Sequence, residues 1–336
     1  MSADAPENFF GKRLVVFGAG YLGGAVAREA AARGMRVTAL TRDPAKARDL
    51  AAAGVDAVVG ELADDAWHER VAGSGADFVL NCVGADGGGL EAYRKSYVDG
   101  MRSVAGWAAK KRGASSGVAG AGQSGIGVLV YTSSTSVYPQ TGGAVVDEDA
   151  PCDARAAGSG GGERAFGTGT THDEHAALLL EAERLALAMH AEGAARAVTV
   201  LRLAGIYGPG RHRLLDELRA GADELPGRGD YFLNLVHRDD AAGAIWAAFS
   251  RAAARRILNI ADDSAATRGE ICGWLARQLG RPAPRFSGVA AGGRRAALPN
   301  RLVASHRARE QLGWRPSYPT FREGFAPLLA QDPRAR

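Results

Sequence analysis

Apolar residues along the first eighty positions come in short, β-branched-rich runs that alternate with stretches of helical period. Arg13-Leu-Val-Val-Phe17 is the first run and reads as a buried parallel strand. A glycine-rich turn follows, and residues 25–32 continue as a helix. Residues 36–41 form a second strand, and 44–53 a helix with proline in its first turn, where the missing N–H is harmless. Further strands are expected at 55–59, 77–83, 128–132 and 197–203, with long helices at 90–111 and 173–191. Strand and helix repeated with short links predict a doubly wound parallel sheet, an α/β fold. Beyond residue 203 the alternation weakens to short helices, loops, a late strand at 256–260 and helical patterns near 267–279 and 321–329. That stretch predicts a smaller mixed lobe.

Composition narrows what such a chain can be. Its 336 residues are 46% hydrophobic and 23% charged, enough for a sizeable core. Glycine is in excess at 46 residues with no Gly-X-Y period, so loops must take up the surplus. Two Gly/Ser-rich stretches, 113–127 and 158–170, read as insertions, either tolerated surface loops or a lid. The 41 basic and 37 acidic side chains leave a net charge of +4, and the basic residues are scattered, which argues against a nucleic-acid partner. Cys82, Cys152 and Cys272 are odd in number and lack metal-ligand spacing, and His172 and His237 complete no metal set with the carboxylates. No basic-then-apolar leader and no run of about 18 apolar residues is present. The chain is therefore expected to be cytoplasmic, without a metal and without a membrane partner.

Gly18-Ala-Gly20-Tyr21-Leu22-Gly23 is a GxGxxG sequence placed between a predicted strand and a predicted helix. Gly18 permits the tight turn, Gly20 lets a pyrophosphate reach the backbone, and Gly23 lets the helix lie close. The helix N-terminus then offers free N–H groups to phosphate. About twenty residues on, where an acidic side chain would bind the ribose of NAD, the chain has Thr41-Arg42. A guanidinium there suits the 2′-phosphate of NADP, which is the expected cofactor. Asp43 keeps NAD open if the strand ends late. Glu61 and Leu62 are placed to bracket adenine, and Val83-Gly84-Ala85 ends the fourth strand beside the switch point where ligands bind.

Tyr131-Thr132-Ser133-Ser134-Thr-Ser-Val-Tyr138 resembles the active-site strand of the extended short-chain dehydrogenase/reductases, the nucleotide-sugar epimerase/dehydratase group. Tyr93-Arg-Lys-Ser-Tyr-Val-Asp-Gly100, Leu201-Arg-Leu-Ala-Gly-Ile-Tyr-Gly-Pro-Gly-Arg211, Asn234-Leu-Val-His-Arg-Asp-Asp240 and Glu310-Gln-Leu-Gly-Trp-Arg-Pro316 are similar to the group's atypical bacterial members. The resemblance covers residues 12–330. It implies a Rossmann-type nucleotide-binding domain, residues 1–203 with contributions from 234–263. It also implies a small substrate lobe, 204–233 and 264–336. By the resemblance, Thr132 and Ser133 lie at the cofactor and Ser134 binds the reacting oxygen.

In that family a Tyr-x-x-x-Lys pair moves the proton, and it is absent here. The only lysines are Lys12, Lys46, Lys95, Lys110 and Lys111, and no tyrosine has lysine four residues later. Tyr207-Gly-Pro-Gly-Arg211 has arginine at that spacing, but Pro and Gly forbid the helix. Alignment through Ala182-Glu183-Arg184 puts His175 at the tyrosine position and Leu179 at the lysine position. Histidine titrates near neutrality unaided, so His175 is a candidate proton relay; the alternative is a solvent-facing residue at a helix start. Tyr138 is a second candidate acid, or else a packing residue. Arg202 is either a substrate anchor or half of a buried ion pair, and Arg211 and Arg213 are either substrate contacts or solvated charges. Trp246, Trp274 and Trp314 read as core.

The expected function is an NAD(P)-dependent oxidoreductase or epimerase/dehydratase-like enzyme on a small polar, sugar-like substrate. The alternative is a non-catalytic NAD(P)-binding redox sensor. Leu178, Leu180, Leu185, Leu187 and Met189 give the second long helix apolar surface beyond a narrow stripe, so a homodimer is expected by analogy.

Overall fold

The computed structural model describes residues 8–71, 75–85, 87, 89–114, 125–152, 171–288 and 300–331. Its elements run in the order β1 (Arg13–Phe17), α1 (Gly23–Ala32), β2 (Arg36–Thr41), α2 (Pro44–Ala52), β3 (Asp56–Val59), β4 (Phe78–Asn81), α3 (Leu90–Tyr93), α4 (Gly100–Ala114), β5 (Ile126–Ser134), β6 (Ala144–Val146), α5 (Thr171–Ala191), β7 (Ala195–Leu203), β8 (Gly205–Tyr207), α6 (Arg213–Arg219), β9 (Glu224–Leu225), β10 (Leu235–His237), α7 (Arg238–Ser250), β11 (Arg255–Ile260), α8 (Arg268–Gln278), β12 (Arg285–Phe286), β13 (Arg301–Val303), α9 (His306–Leu312) and α10 (Phe321–Ala330). Residues 115–124 of the first expected insertion, and all of 158–170, lie outside the described residues.

Two compact units emerge. One holds the chain up to Ser134 with Ala177–Arg202 and Ala244–Leu258; the other holds Thr135–Ala176, Leu203–Gly243 and the chain from Asn259 on. The first carries a seven-stranded parallel sheet of order β11-β7-β5-β4-β1-β2-β3. The chain moves outward from β1 to β3 and restarts on the other side at β4, so the strand order reverses between β1 and β4. Phe17 stands opposite Leu40 and Asn81, and Thr41 opposite Val59, so these strands end level. A crevice outside the strand ends at such a reversal is where α/β sheets bind ligands.

Apolar residues on both faces explain the uninterrupted runs. On one face Phe17, Trp67 and Trp107 pack at 4.7–5.7 Å between ring centres, with Met101, Val104 and Met189 around them. Both indoles keep a partner: Trp67 Nε1 donates to Leu62 O and Trp107 Nε1 to Val71 O. Elsewhere in this unit Phe78 packs on Phe249 and Phe9 on Trp246, whose ring lies 4.2 Å under the Arg33 guanidinium. Leu178 and Met189 of α5 are buried, and Leu185 and Leu187 pack against this core. The apolar surplus of α5 is thus largely used within the chain. Between α4 and α5, Arg102 pairs with Glu181 at 2.6 Å.

The helix expected over 90–111 is interrupted. Arg94–Asp99 forms a π-helical turn between α3 and α4. A π turn adds one residue to the coil, which shifts every following side chain around the axis.

The second unit is built from three two-stranded parallel pairs, β8 with β10, β9 with β12 and β6 with β13. Its core stacks Tyr207 on Phe325 at 4.5 Å beside Leu215, Ile271, Leu275 and Phe321. Trp274 is only partly buried there, whereas Trp314 is buried and donates from Nε1 to Asp240 O. The Asp240 carboxylate accepts the N–H groups of Ser317 and Tyr318, which gives this helix-opening acid a tethering role. Capping boxes start α8 at Thr267/Glu270 and α10 at Thr320/Glu323.

Asp262, just past β11, accepts the Ser264 N–H at 3.0 Å. Burial pushes its carboxyl up to about 7, and the charges of Asp263 and Asp240 push the same way. Between the ordinary carboxyl range and that value the folded chain holds a proton that the unfolded chain does not. Stability must therefore fall as pH rises through this window. Melting temperature is expected to decline from about pH 5 to about pH 7.5, and Asp262→Asn, which keeps the acceptor oxygen, to flatten that decline. Parallel melting profiles for the two proteins would contradict the assignment.

Candidate functional site

The glycine turn between β1 and α1 is shaped by three different demands. Gly18 has φ +84°, and a Cβ there would lie 2.6 Å from Val83 N. A Cβ on Gly23 would lie 2.3 Å from Gly18 O. The turn therefore presses on the exit of β4 while α1 closes on the turn. Gly20 is exposed, and a Cβ there would meet nothing within 4 Å. That opening lies just before a ten-residue helix, where Gly24 N donates to Gly20 O at 2.9 Å. Tyr21 is half-buried and Leu22 buried. These features fit a pyrophosphate lying across Gly20.

The turn is bonded to the neighbouring strand: Gly18 N and Ala19 N both donate to Leu40 O. Thr41 ends β2, and its hydroxyl accepts the Asp43 N–H. Asp43 itself caps α2, taking the N–H groups of Ala45 at 2.8 Å and Lys46 at 3.3 Å. Those bonds hold its carboxyl below the usual range. The strand does not end late, and this carboxylate is engaged with its own helix. Arg42 Nη1 lies 3.9 Å from Glu61 Oε2, and Lys95 Nζ lies 3.3 Å from the same oxygen. Leu62, expected beside adenine, is buried in the core.

At the exits of β4 and β5, Val83 and Ala85 are half-buried and Gly84 is exposed. The Tyr97 hydroxyl, from the π turn, accepts the Ala85 N–H at 3.4 Å. Thr132 and Ser133, expected at the cofactor, spend their hydroxyls on the framework. Thr132 Oγ1 donates to Asn81 O, and Ser133 Oγ donates to Glu183 Oε1 at 2.6 Å. Glu183 also takes a two-pronged grip from Arg202, Nε to Oε1 at 2.9 Å and Nη2 to Oε2 at 2.7 Å. Both partners are buried, so Arg202 is half of a structural ion pair. Ser134, the last residue of β5, is half-buried. Tyr131 is buried, and desolvation drives its phenol well above the ordinary value, with Tyr97 and Glu183 adding to the rise.

Two candidates belong to the second unit. His175, in the first turns of α5, is 6% exposed, so the solvent-facing alternative does not hold. Tyr138 is fully buried, and its hydroxyl donates to Asn259 Oδ1 at 2.8 Å. Arg211 and Arg213 are exposed, and Arg213 pairs with Glu217. Lys95, Tyr97 and Glu183 escaped the sequence reading. Glu183 carried a signal: a lone acid on an apolar helix face, with a lone arginine inside the apolar run of β7. All three cysteines are free, and no His/Cys/Asp/Glu cluster able to hold a metal occurs among the described residues. Among those residues no helix is long and apolar enough to cross a membrane.

A parallel sheet reversing beside a glycine turn defines a dinucleotide-binding type of α/β protein. The family model described as "NAD dependent epimerase/dehydratase family" matches residues 14–261, and the chain belongs to that family. It is 29% identical to a 3-diazoavenalumate denitrifying reductase from Streptomyces sp over 328 residues, covering 93% of this chain and 99% of that protein. It is 31% identical to a 2-alkyl-3-oxoalkanoate reductase from Stenotrophomonas maltophilia over 243 residues, 71% of this chain and 65% of that protein. Among solved structures it resembles MoeE5 in complex with UDP-glucose and NAD, with TM-score 0.71 and 24% identity over 94% of this chain and 97% of that one. It also resembles a double mutant of the dTDP-glucose 4,6-dehydratase DesIV from Streptomyces venezuelae with NAD bound, with TM-score 0.72 and 21% identity over 94% and 95%. At these identities the structural likeness establishes the fold.

Removing Glu183 would strand a buried guanidinium. Glu183→Ala is expected to cost about 3–5 kcal/mol in urea unfolding, while the double change Glu183→Leu with Arg202→Met recovers most of it. Equal losses in both variants would show that an unpaired charge is not the origin.

Proposed function

We propose that the chain is a nicotinamide-dependent reductase acting on a small polar substrate, with NADP preferred to NAD. The observation that carries this reading is the open backbone face at Gly20, set between two glycines that no larger residue could replace. Family membership supports it. The capping role of Asp43 and the position of Arg42 favour NADP. The names of the two reductase relatives favour delivery of hydride to a substrate over epimerisation, and the UDP-glucose bound by MoeE5 keeps a sugar-like substrate within the class.

A bound nicotinamide would supply the hydride. Gly18, Gly20 and Gly23 would seat the pyrophosphate, with Tyr21 and Leu22 shaping the turn. Val83, Gly84 and Ala85 would border the crevice at the sheet reversal. Ser134 would hydrogen-bond the reacting oxygen, and His175 would move the proton that the family's phenol moves. Tyr138, whose proton is given to Asn259, serves as a support in this reading. Leu179 is 2% exposed and carries no charge, so the ribose must be held without the family's ammonium.

That buried alkyl group also favours a second reading, a protein that binds NAD(P) and senses redox state without turnover. The two separate on one assay, NADPH oxidation with a panel of nucleotide sugars and carbonyl compounds. The reductase consumes NADPH with one of them, and Ser134→Ala and His175→Ala each slow it by about 100-fold or more. Full turnover in His175→Ala removes that residue from the mechanism, and NADPH binding with no turnover favours the sensor.

Gly20→Val tests the coenzyme seat itself. The side chain enters open space, so melting temperature is expected to stay within about 2 °C, while NADP+ affinity falls by about 10-fold or more. Undiminished affinity would place the pyrophosphate elsewhere.

A further inference from the structure

Three arginines are buried among the described residues, Arg202, Arg268 and Arg301. Arg202 has Glu183 as its counter-ion. Arg268 gives one nitrogen to the carbonyls of Pro226 and Arg228 and lies 5.0 Å from the centre of the Phe286 ring. Arg301, the first residue of β13, is 7% exposed and differs from both. Among the described residues its side chain makes one hydrogen bond, from Nη2 to Thr135 O at 2.6 Å, and its Nε is buried without an acceptor. No carboxylate among those residues pairs with it, and the acidic groups near enough to act on it are the Tyr138 phenol and the Cys152 thiol. Burial pushes the guanidinium down to about 10, so it is still a cation at neutral pH. A desolvated cation without a counter-ion is costly, and such a group in a native fold calls for an anion.

We propose that Arg301 anchors a carboxylate of the substrate, so that the chain acts on oxo acids. The inference deepens the reductase reading and rests on it for the carbonyl half of that substrate. Nε and Nη2 form the edge of a guanidinium that Glu183 takes from Arg202, Nε to Oε1 and Nη2 to Oε2. A substrate carboxylate can take the same edge of Arg301, because Nη2 carries a second hydrogen beyond the one given to Thr135. A singly charged anion balances the single cation. A phosphate monoester brings close to two charges, and the groups that act on Arg301 include no second cation. Thr135 directly follows Ser134, the residue proposed to bind the reacting oxygen. The guanidinium is thereby tied to the peptide next to that hydroxyl, and acid and carbonyl belong to one small molecule.

Phenylpyruvate, benzoylacetate and levulinate, each with its methyl ester, and dihydroxyacetone phosphate test this on the full chain. The readouts are NADPH oxidation and melting temperature with NADP+ present. At least one acid is expected to be reduced with a KM about 10-fold or more below that of its ester, and to raise the melting temperature where the ester does not. In Arg301→Met both differences are lost and ester turnover stays within about 2-fold. Its melting temperature without acid stays within about 2 °C or rises, because a buried unpaired cation has been removed. Arg301→Lys, which keeps the charge but not the fork, is expected to recover part of the preference for acids. An ester handled as well as its acid overturns the inference and leaves the reductase reading intact. So does an Arg301→Met variant that keeps the acid preference, or one that melts more than about 5 °C lower, which makes the arginine a structural tie to Thr135. Dihydroxyacetone phosphate preferred to every acid refutes the carboxylate. Acids that raise the melting temperature through Arg301 without consuming NADPH remove the reductase reading and keep the anchor. Neither acid turnover nor an acid-induced shift refutes the anchor outright.

Discussion

The buried grip of Arg202 on Glu183 sets the position of α5 against the sheet. Removing a carboxylate and a guanidinium from water costs several kcal/mol for each ion, so the pair is tolerable only where its hydrogen bonds are all made. Here both guanidinium contacts and the Ser133 hydroxyl satisfy the carboxylate. That requirement fixes both the rotation of α5 and its height on β5 and β7. Helical spacing then carries Leu179 one turn back, and His175 two turns back, on the side that Glu183 faces. Leu179 is buried at that position.

A second constraint acts at the strand-order reversal. The turn after β1 touches the β4 exit so closely that Gly18 has no room for a Cβ, and α1 then lies on the turn through Gly23. The backbone between them is left open at Gly20. Charge is distributed with equal economy at the neighbouring exit. One acid, Asp43, is consumed in starting a helix, and the other, Glu61, lies between two cations. The first arrangement follows from backbone geometry alone. The second depends on the π turn that brings Lys95 to β3.

Much of this was legible in the chain because parallel strands buried on both faces leave continuous apolar runs. The expected strands at 13–17 and 36–41 coincide with β1 and β2, and 197–203 lies inside β7. Strand β5 extends further than 128–132, because Ile126 and Gly127 also pair backbone groups; a Cβ on Gly127 would lie 2.0 Å from Asp77 O. The π turn at 94–99 was not legible, since one extra residue within a helical stretch barely alters its apolar period. Thr132 and Ser133 illustrate another limit. Their position beside the site is visible in the motif, yet the partners of their hydroxyls come from β4 and α5.

By itself the sequence determined the fold class, the GxGxxG turn and the lack of any tyrosine with lysine four residues on. Each of these is local: a run of apolar residues, a spacing of glycines, a census of five lysines. Only the tertiary structure decided which charges pair with which partners. Arg202 is committed to Glu183, and Arg42 and Lys95 share the half-buried Glu61. The reason is physical. Whether a charge is buried and paired depends on groups 19 to 34 residues away in the chain, and only folding sets those distances.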